Sequence, residues 1–93
     1  MKMDNSKIDK EGKLKQGVHH EYFKNGSLSC KGSFKEGERI GEWKWYRENG
    51  ELMQTGSLDN DIKTGVWTRY RPDGKLMDKT EFLNGKKGKI TKF

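Results

Sequence analysis

From Gly17 onward the apolar positions recur every 24 residues. His19, Trp43, Trp67 and Ile90 share one slot, and Tyr22, Tyr46, Tyr70 and Phe93 a second. Leu28, Leu52 and Leu76 fill a third, and Phe34, Leu58 and Phe82 a fourth. Only the last restart, at Gly88, comes early, after 23 residues. Each unit opens on glycine (Gly17, Gly41, Gly65) and runs through aromatic or β-branched residues to Asn25-Gly26, Asn49-Gly50 or Asp73-Gly74. Glycine accepts the positive φ that such a turn needs, so each unit predicts a hairpin. Polar stretches such as Lys35 to Ile40 and Asn84 to Lys87 predict a second turn between hairpins. No window carries a helical period, and glycine is too frequent for helices. The predicted fold class is all-β: a single-layer antiparallel meander of about three stacked β-hairpin repeats, with six or seven strands.

The repeats set the domain boundaries. Units 17–40, 41–64 and 65–87 and the partial unit 88–93 predict a repeat domain over 11–93. Glu11 to Gln16, with Gly12, is turn-like and suits part of an incomplete repeat. Residues 1–10 show neither period and predict a mobile tail.

The third copy refines the turn. Pro72 stands where a two-residue hairpin would use a backbone N–H. A three-residue loop, a type I turn followed by Gly74 in the left-handed position, suits Pro72-Asp73-Gly74 better. Applied to Glu48-Asn49-Gly50, this register puts Arg47 opposite Glu51 and Tyr46 opposite Leu52. It also expects Tyr46, Leu52 and Leu58 on one side of the sheet and Trp43 and Trp45 on the other. The two-residue register would instead set Trp43 opposite Gly56.

Gly41 to Leu58 reads Gly-x-Trp-x-x-Tyr-x-x-Asn-Gly-x-Leu-x-x-x-Gly-x-Leu, a pattern that resembles the MORN-repeat variant. Gly65 to Leu76 looks like the same unit, and Gly17 to Phe34 matches with His19 in the Trp slot. Thr80 stands where the earlier units have Gly32 and Gly56. The resemblance implies hairpins stacked into an elongated, twisted single sheet that serves as an interaction or membrane-proximal module. Proteins similar to the bacterial variant are often labelled antitoxins, so the resemblance also implies a toxin-neutralising role.

Composition limits what such a sheet can do. Of 93 residues, 29% are hydrophobic and 37% charged, enough for one thin apolar layer. The net charge of +6 invites a nucleic acid or an anionic membrane as partner. Between Gly17 and Leu83, however, 11 basic residues meet 11 acidic ones, and the excess lies in the ends. The ends read as solubilising. Weak contact with anionic lipid through Lys86 to Lys92 is the alternative. Lys44, Arg69 and Arg71 lie among aromatics, a mixture that binds single strands, but Asp78 and Glu81 are placed to pair with the arginines. Nucleic acid is not the expected partner.

Chemistry is sparse. His19, His20 and Cys30 are the only soft metal ligands, and adjacent strand residues point to opposite faces. Two ligands fall short of the four of a structural zinc site. No nucleophile has a base and an orienting group beside it in the pattern, and no phosphate-cradling glycine loop precedes a helix. No enzymatic activity, cofactor or metal is expected. The lone Cys30 forms no internal disulfide and fits a reducing compartment. With no apolar leader in the sequence and no long apolar run, the expected location is cytoplasmic.

The aromatics carry the functional expectation. A single-layer sheet has no second layer to bury them, so curling, self-association or a partner must cover some. Trp45 is the sharpest case, because its equivalents are Glu21 and Arg69 and the repeat demands no aromatic there. Trp and Arg are enriched among binding hot spots. Trp43, Trp45, Trp67 and Arg69 are the partner-binding candidates of a non-enzymatic protein-interaction module. A structural homo-oligomer built through sheet edges is the further alternative.

Overall fold

The computed structural model describes residues 7–93, so residues 1–6 of the expected tail lie outside the described residues. Lys7 to Lys10 pack beside the repeats: Ile8 bridges Leu14, and Lys15 donates its backbone N–H to the Lys7 carbonyl at 3.0 Å. The strands are β1 (Gly17–Tyr22), β2 (Leu28–Lys35), β3 (Glu38–Tyr46), β4 (Leu52–Asp59), β5 (Ile62–Tyr70), β6 (Leu76–Leu83) and β7 (Lys86–Lys92). They form one open antiparallel sheet in chain order, the meander that the repeats predict. Among the described residues no helix is long and apolar enough to cross a membrane.

Two kinds of connection alternate. Those inside the units are three-residue loops. The N–H groups of Phe23, Arg47 and Arg71 donate to the carbonyls of Ser27, Glu51 and Lys75 at 2.8, 2.7 and 2.7 Å. Gly50 closes its loop at φ 90, a conformation that a side chain would strain. Asn25, Asn49 and Asp73 each accept the N–H two residues on, at 2.9–3.0 Å, which preforms the turn.

The connections between units are two-residue turns at Glu36-Gly37, Asn60-Asp61 and Asn84-Gly85, all with positive φ at both positions. Gly37, Asp61 and Gly85 donate their N–H groups to the carbonyls of Lys15, Arg39 and Lys63 at 2.9, 3.0 and 2.9 Å. The second and third turns are thus tied to the start of the strand one unit back, β3 and β5, and the first to Lys15 just ahead of β1. Asp61 sits at φ 68, where glycine is normally preferred, yet its carboxylate accepts from the N–H and Nε of Arg39 at 2.9 and 2.8 Å. Asp61→Ala keeps the strained backbone and loses both bonds, so urea unfolding should show a loss of about 1–2 kcal/mol. Asp61→Asn, which tolerates this φ and keeps an acceptor, should lose clearly less.

The register combines both alternatives of the sequence. Near the loop Tyr46 pairs with Leu52, as the three-residue loop requires. The pairing then shifts, leaving Met53 as an extra residue, and Trp43 stands opposite Gly56. Ser29 and Met77 are the equivalent bulges. This corrects one expectation: Leu58 does not share a side with Tyr46 and Leu52. It packs with Trp43 and Trp67 in the buried cluster, because one bulged residue flips every later side chain.

Burial is achieved without a second layer. The indoles of Trp43 and Trp67 lie flat on the preceding strand, over Gly32 and Gly56, and their Nε1–H groups donate to the Ser33 and Ser57 carbonyls at 3.2 and 3.0 Å. A Cβ on either glycine would fall 2.0 Å from the ring. Opposite Gly32 the three residues Gly41 to Trp43 bulge out of β3, and opposite Gly56 Gly65 to Trp67 do the same in β5. In the last unit Thr80 pairs directly with Ile90, and β7 has one residue fewer in its bulge. Thr80 therefore replaces glycine where no indole arrives from the next strand.

Candidate functional site

The side of the sheet that carries the indoles is the chemically distinctive one. Alternation along the strands sets three rows of side chains on it. The middle row is a train of rings. His19 meets Phe34 edge-on at 5.1 Å, Phe34 meets Trp43 at 5.2 Å, and Trp45 lies 6.2 Å from Trp43 and 5.3 Å from Trp67. Phe82 ends the train, 6.1 Å from Trp67. Trp43 and Trp67 are only 3% and 5% exposed, so they supply the core of this face. Trp45 is half-buried and shows part of its ring to solvent.

A polar row runs beside the rings: Glu21, Cys30, Trp45, Gln54, Arg69, Asp78 and Lys92 pair strand to strand. Arg69 grips Asp78 with two bonds, Nε to Oδ1 at 2.9 Å and a second from the terminal nitrogen to Oδ2. Arg69 is exposed while Asp78 is buried, so the guanidinium serves the carboxylate and still borders the face. Cys30 donates its thiol to Glu21 at 3.0 Å, and burial first, then that contact, pushes its pKa up to about 12. The thiol stays protonated at neutral pH and is a poor nucleophile.

Three carboxylates on this face are held below their usual range. For Asp78 the Arg69 hydrogen bond is the main cause. For Glu21 it is the Cys30 contact. For Asp61 burial pushes the other way, and the Arg39 bonds outweigh it. A lowered folded pKa contributes stability above the unfolded value, near pH 4, that is lost as pH falls through the folded value. Urea midpoints should hold from pH 7 to about 5 and then fall. Asp78→Asn should lower the neutral midpoint and flatten the acid decline.

The third row is the one that sequence reasoning missed. Lys15, Arg39, Lys63 and Lys87 sit at the same repeat slot, 24 residues apart. They border two clefts above the rings. The larger, about 430 Å³, is lined by Lys15, Arg39, His19, Phe34, Trp43 and Trp45 among others. The smaller, about 190 Å³, is lined by Lys63, Arg69, Trp67, Phe82 and Lys87 among others. Lys15 Nζ stands 5.0 Å above Phe34, and Lys63 Nζ stands 4.7 Å above Trp67 and 5.1 Å above Phe82. The period that exposed the aromatic slots also carries this cationic slot, but local charge balance hides it. The structure thus brings Trp43, Trp45, Trp67 and Arg69 onto one face, with the two outer indoles buried in its floor.

An open hairpin sheet with clefts over an aromatic floor, and no assembled catalytic group among the described residues, has the form of a repeat-built binding surface. Residues 39–60 and 63–84 each match the family model of the MORN repeat variant, so the chain carries repeats of that family. Each match covers one long hairpin, β3 with β4 and β5 with β6. MORN repeats are a non-catalytic module that generally mediates protein or membrane interactions. No curated protein and no solved structure matches the chain.

Proposed function

We propose that the chain is a non-enzymatic protein-interaction module that binds its partner on the aromatic face, with Trp45 at the centre. The observation that carries this reading is the placement of Trp45. It is the one indole left half-buried, it stands between the two buried ones, and it borders the larger cleft. A rigid, partly exposed indole on a packed floor supplies contact area at little entropic cost, as hot-spot residues do. Arg69, one unit on at the same slot, extends the surface. Capture from an extract of the source cell by the tagged chain should yield a specific protein. Trp45→Ala should lose it with an unchanged circular dichroism spectrum, and retained capture would remove Trp45 from the binding face.

The finer form of this reading is toxin neutralisation, supported by the similarity to bacterial repeats labelled antitoxins. Co-expression with the captured partner should then relieve a growth defect that the partner alone causes. A second reading, weak attachment to anionic lipid, draws support from β7. The strand is exposed along its length and carries Lys86, Lys87, Lys89 and Lys92. Such lysines contribute about 1 kcal/mol each near a charged surface. Co-sedimentation with phosphatidylserine vesicles should fall with salt, and no binding at low salt would sink it.

A further inference from the structure

We propose that the cationic row Lys15, Arg39, Lys63 and Lys87 is a register for an acidic, extended segment of the protein partner, whose carboxylates recur every third residue. This deepens the protein-interaction reading and rests on it. Sequence balance makes the repeat body neutral, but the two clefts are not. Lys7, Lys15, Arg39, Lys63, Arg69 and Lys87 line them against Glu21, Asp61 and Asp78. Asp61 is taken by Arg39 and Lys7, and Lys7 also pairs with Glu38. Asp78 is taken by Arg69 and Glu21 by Cys30, so the charges left over are those of Lys15, Lys63 and Lys87. Among the described residues no carboxylate lies within ion-pair distance of Lys15, Lys63 or Lys87. The Lys15 and Lys63 ammonium groups are held over ring faces, which aims them without neutralising them.

The spacing selects the ligand. Arg39, Lys63 and Lys87 lie on β3, β5 and β7, two strands apart, roughly 9.6 Å at about 4.8 Å per strand, and Lys15, two residues before β1, occupies the same repeat slot. A polyproline II segment advances about 9.3 Å in three residues and returns to the same face. Acidic side chains at every third position therefore keep pace with the row, whereas alternate positions of a strand, about 6.8 Å apart, do not. The chemistry favours peptide over a nucleic-acid strand, because bases need open ring faces and the Trp43 and Trp67 rings are buried. The row also borders clefts rather than a flat outer surface that a bilayer could meet.

The test uses fluorescence anisotropy with two dye-labelled peptides of about ten residues and identical composition, rich in Pro. One places Asp at every third position and the other groups its Asp residues together. The spaced peptide should bind about tenfold more tightly and weaken with salt. The triple variant Lys15→Gln, Lys63→Gln, Lys87→Gln should lose about tenfold or more. Lys31→Gln, Lys44→Gln, Lys79→Gln makes the same charge change on the opposite side of the sheet and should leave binding unchanged. Circular dichroism of both variants checks the fold. Equal binding of the two peptides, or equal losses in the two triple variants, overturns the proposal. So does binding of phosphatidylserine vesicles or oligothymidine, but neither peptide, that the first triple variant abolishes. If the spaced peptide fails while Trp45-dependent capture of a protein persists, this inference falls and the interaction reading stands.

Discussion

Gly56→Thr should cost the chain most of its stability, and Trp67→Ile added to the same molecule should restore a large part of it. The Trp67 ring occupies the space in which a side chain at 56 would begin, with Cδ2 2.0 Å from the Cβ position. The obstacle is the body of an indole buried on both sides, so the ring must leave its seat. Expelling it forfeits the burial of an indole, about 3–5 kcal/mol by analogy with Trp→Ala substitutions. Isoleucine at 67 retains part of the apolar contact and clears the space. The last unit carries this residue combination, Thr80 with Ile90, on a β7 whose bulge is one residue shorter. A double-mutant cycle should therefore show coupling of about 2 kcal/mol or more, with the double variant more stable than Gly56→Thr alone. Chemical denaturation at two wavelengths supplies the free energies. Simple additivity of the two losses would show that the ring does not depend on a bare backbone beneath it.

Trp43→Ala should be the most damaging single truncation. Trp43 packs on Gly32, touches the Phe34, His19 and Trp45 rings, and donates to the Ser33 carbonyl. Burying an indole of about 200 Å² contributes roughly 5 kcal/mol at about 25 cal/mol/Å². A domain of this size is expected to have only about 5–15 kcal/mol in total. Trp43→Ala should lower the urea midpoint severely and leave a visible unfolded population at 37 °C. Trp45→Ala, which removes a ring that already meets solvent, should lose less than half as much. The contrast is what makes Trp45→Ala usable as a folded variant in binding experiments. Equal losses at 43 and 45 would mean that both rings belong to one core and that the binding face lies elsewhere.

Both predictions turn on features of unequal visibility in the sequence. The hairpins were legible because their causes are local: Asn49-Gly50 needs only its own four residues to turn, and Pro72 announces a three-residue loop. The repeat slots of Trp43, Tyr46 and Leu52 were legible for a similar reason, since stacked hairpins demand equivalent residues. The pairing of Asp78 with Arg69 could be anticipated from neighbouring strand positions. The position of Leu58 could not. It depends on the extra residue at Met53, and a bulge leaves no mark when the residue that fills it is an ordinary one.

Of the candidate site, the sequence set Trp45 apart by its non-repeat slot, but it could not show that Trp43 and Trp67 are buried while Trp45 stays half-buried. The rings of Trp43 and Trp67 lean onto Gly32 and Gly56 of the neighbouring strand, whereas Trp45 pairs with Cys30 and Gln54 and has no bare backbone to lie on. The same holds for Thr80, which looks like a flaw in the repeat until Ile90 is seen across from it. The cationic row was present in the spacing of Lys15, Arg39, Lys63 and Lys87, yet nearby acids in the chain masked it.

What the sequence determined by itself is therefore what short-range chemistry controls: the turns, the strand order that follows from them, and the 24-residue period. What the tertiary structure decided is which side chains share a face, which rings are buried, and which charges remain available. Those depend on register and bulges, where a shift of one residue reverses every side chain beyond it.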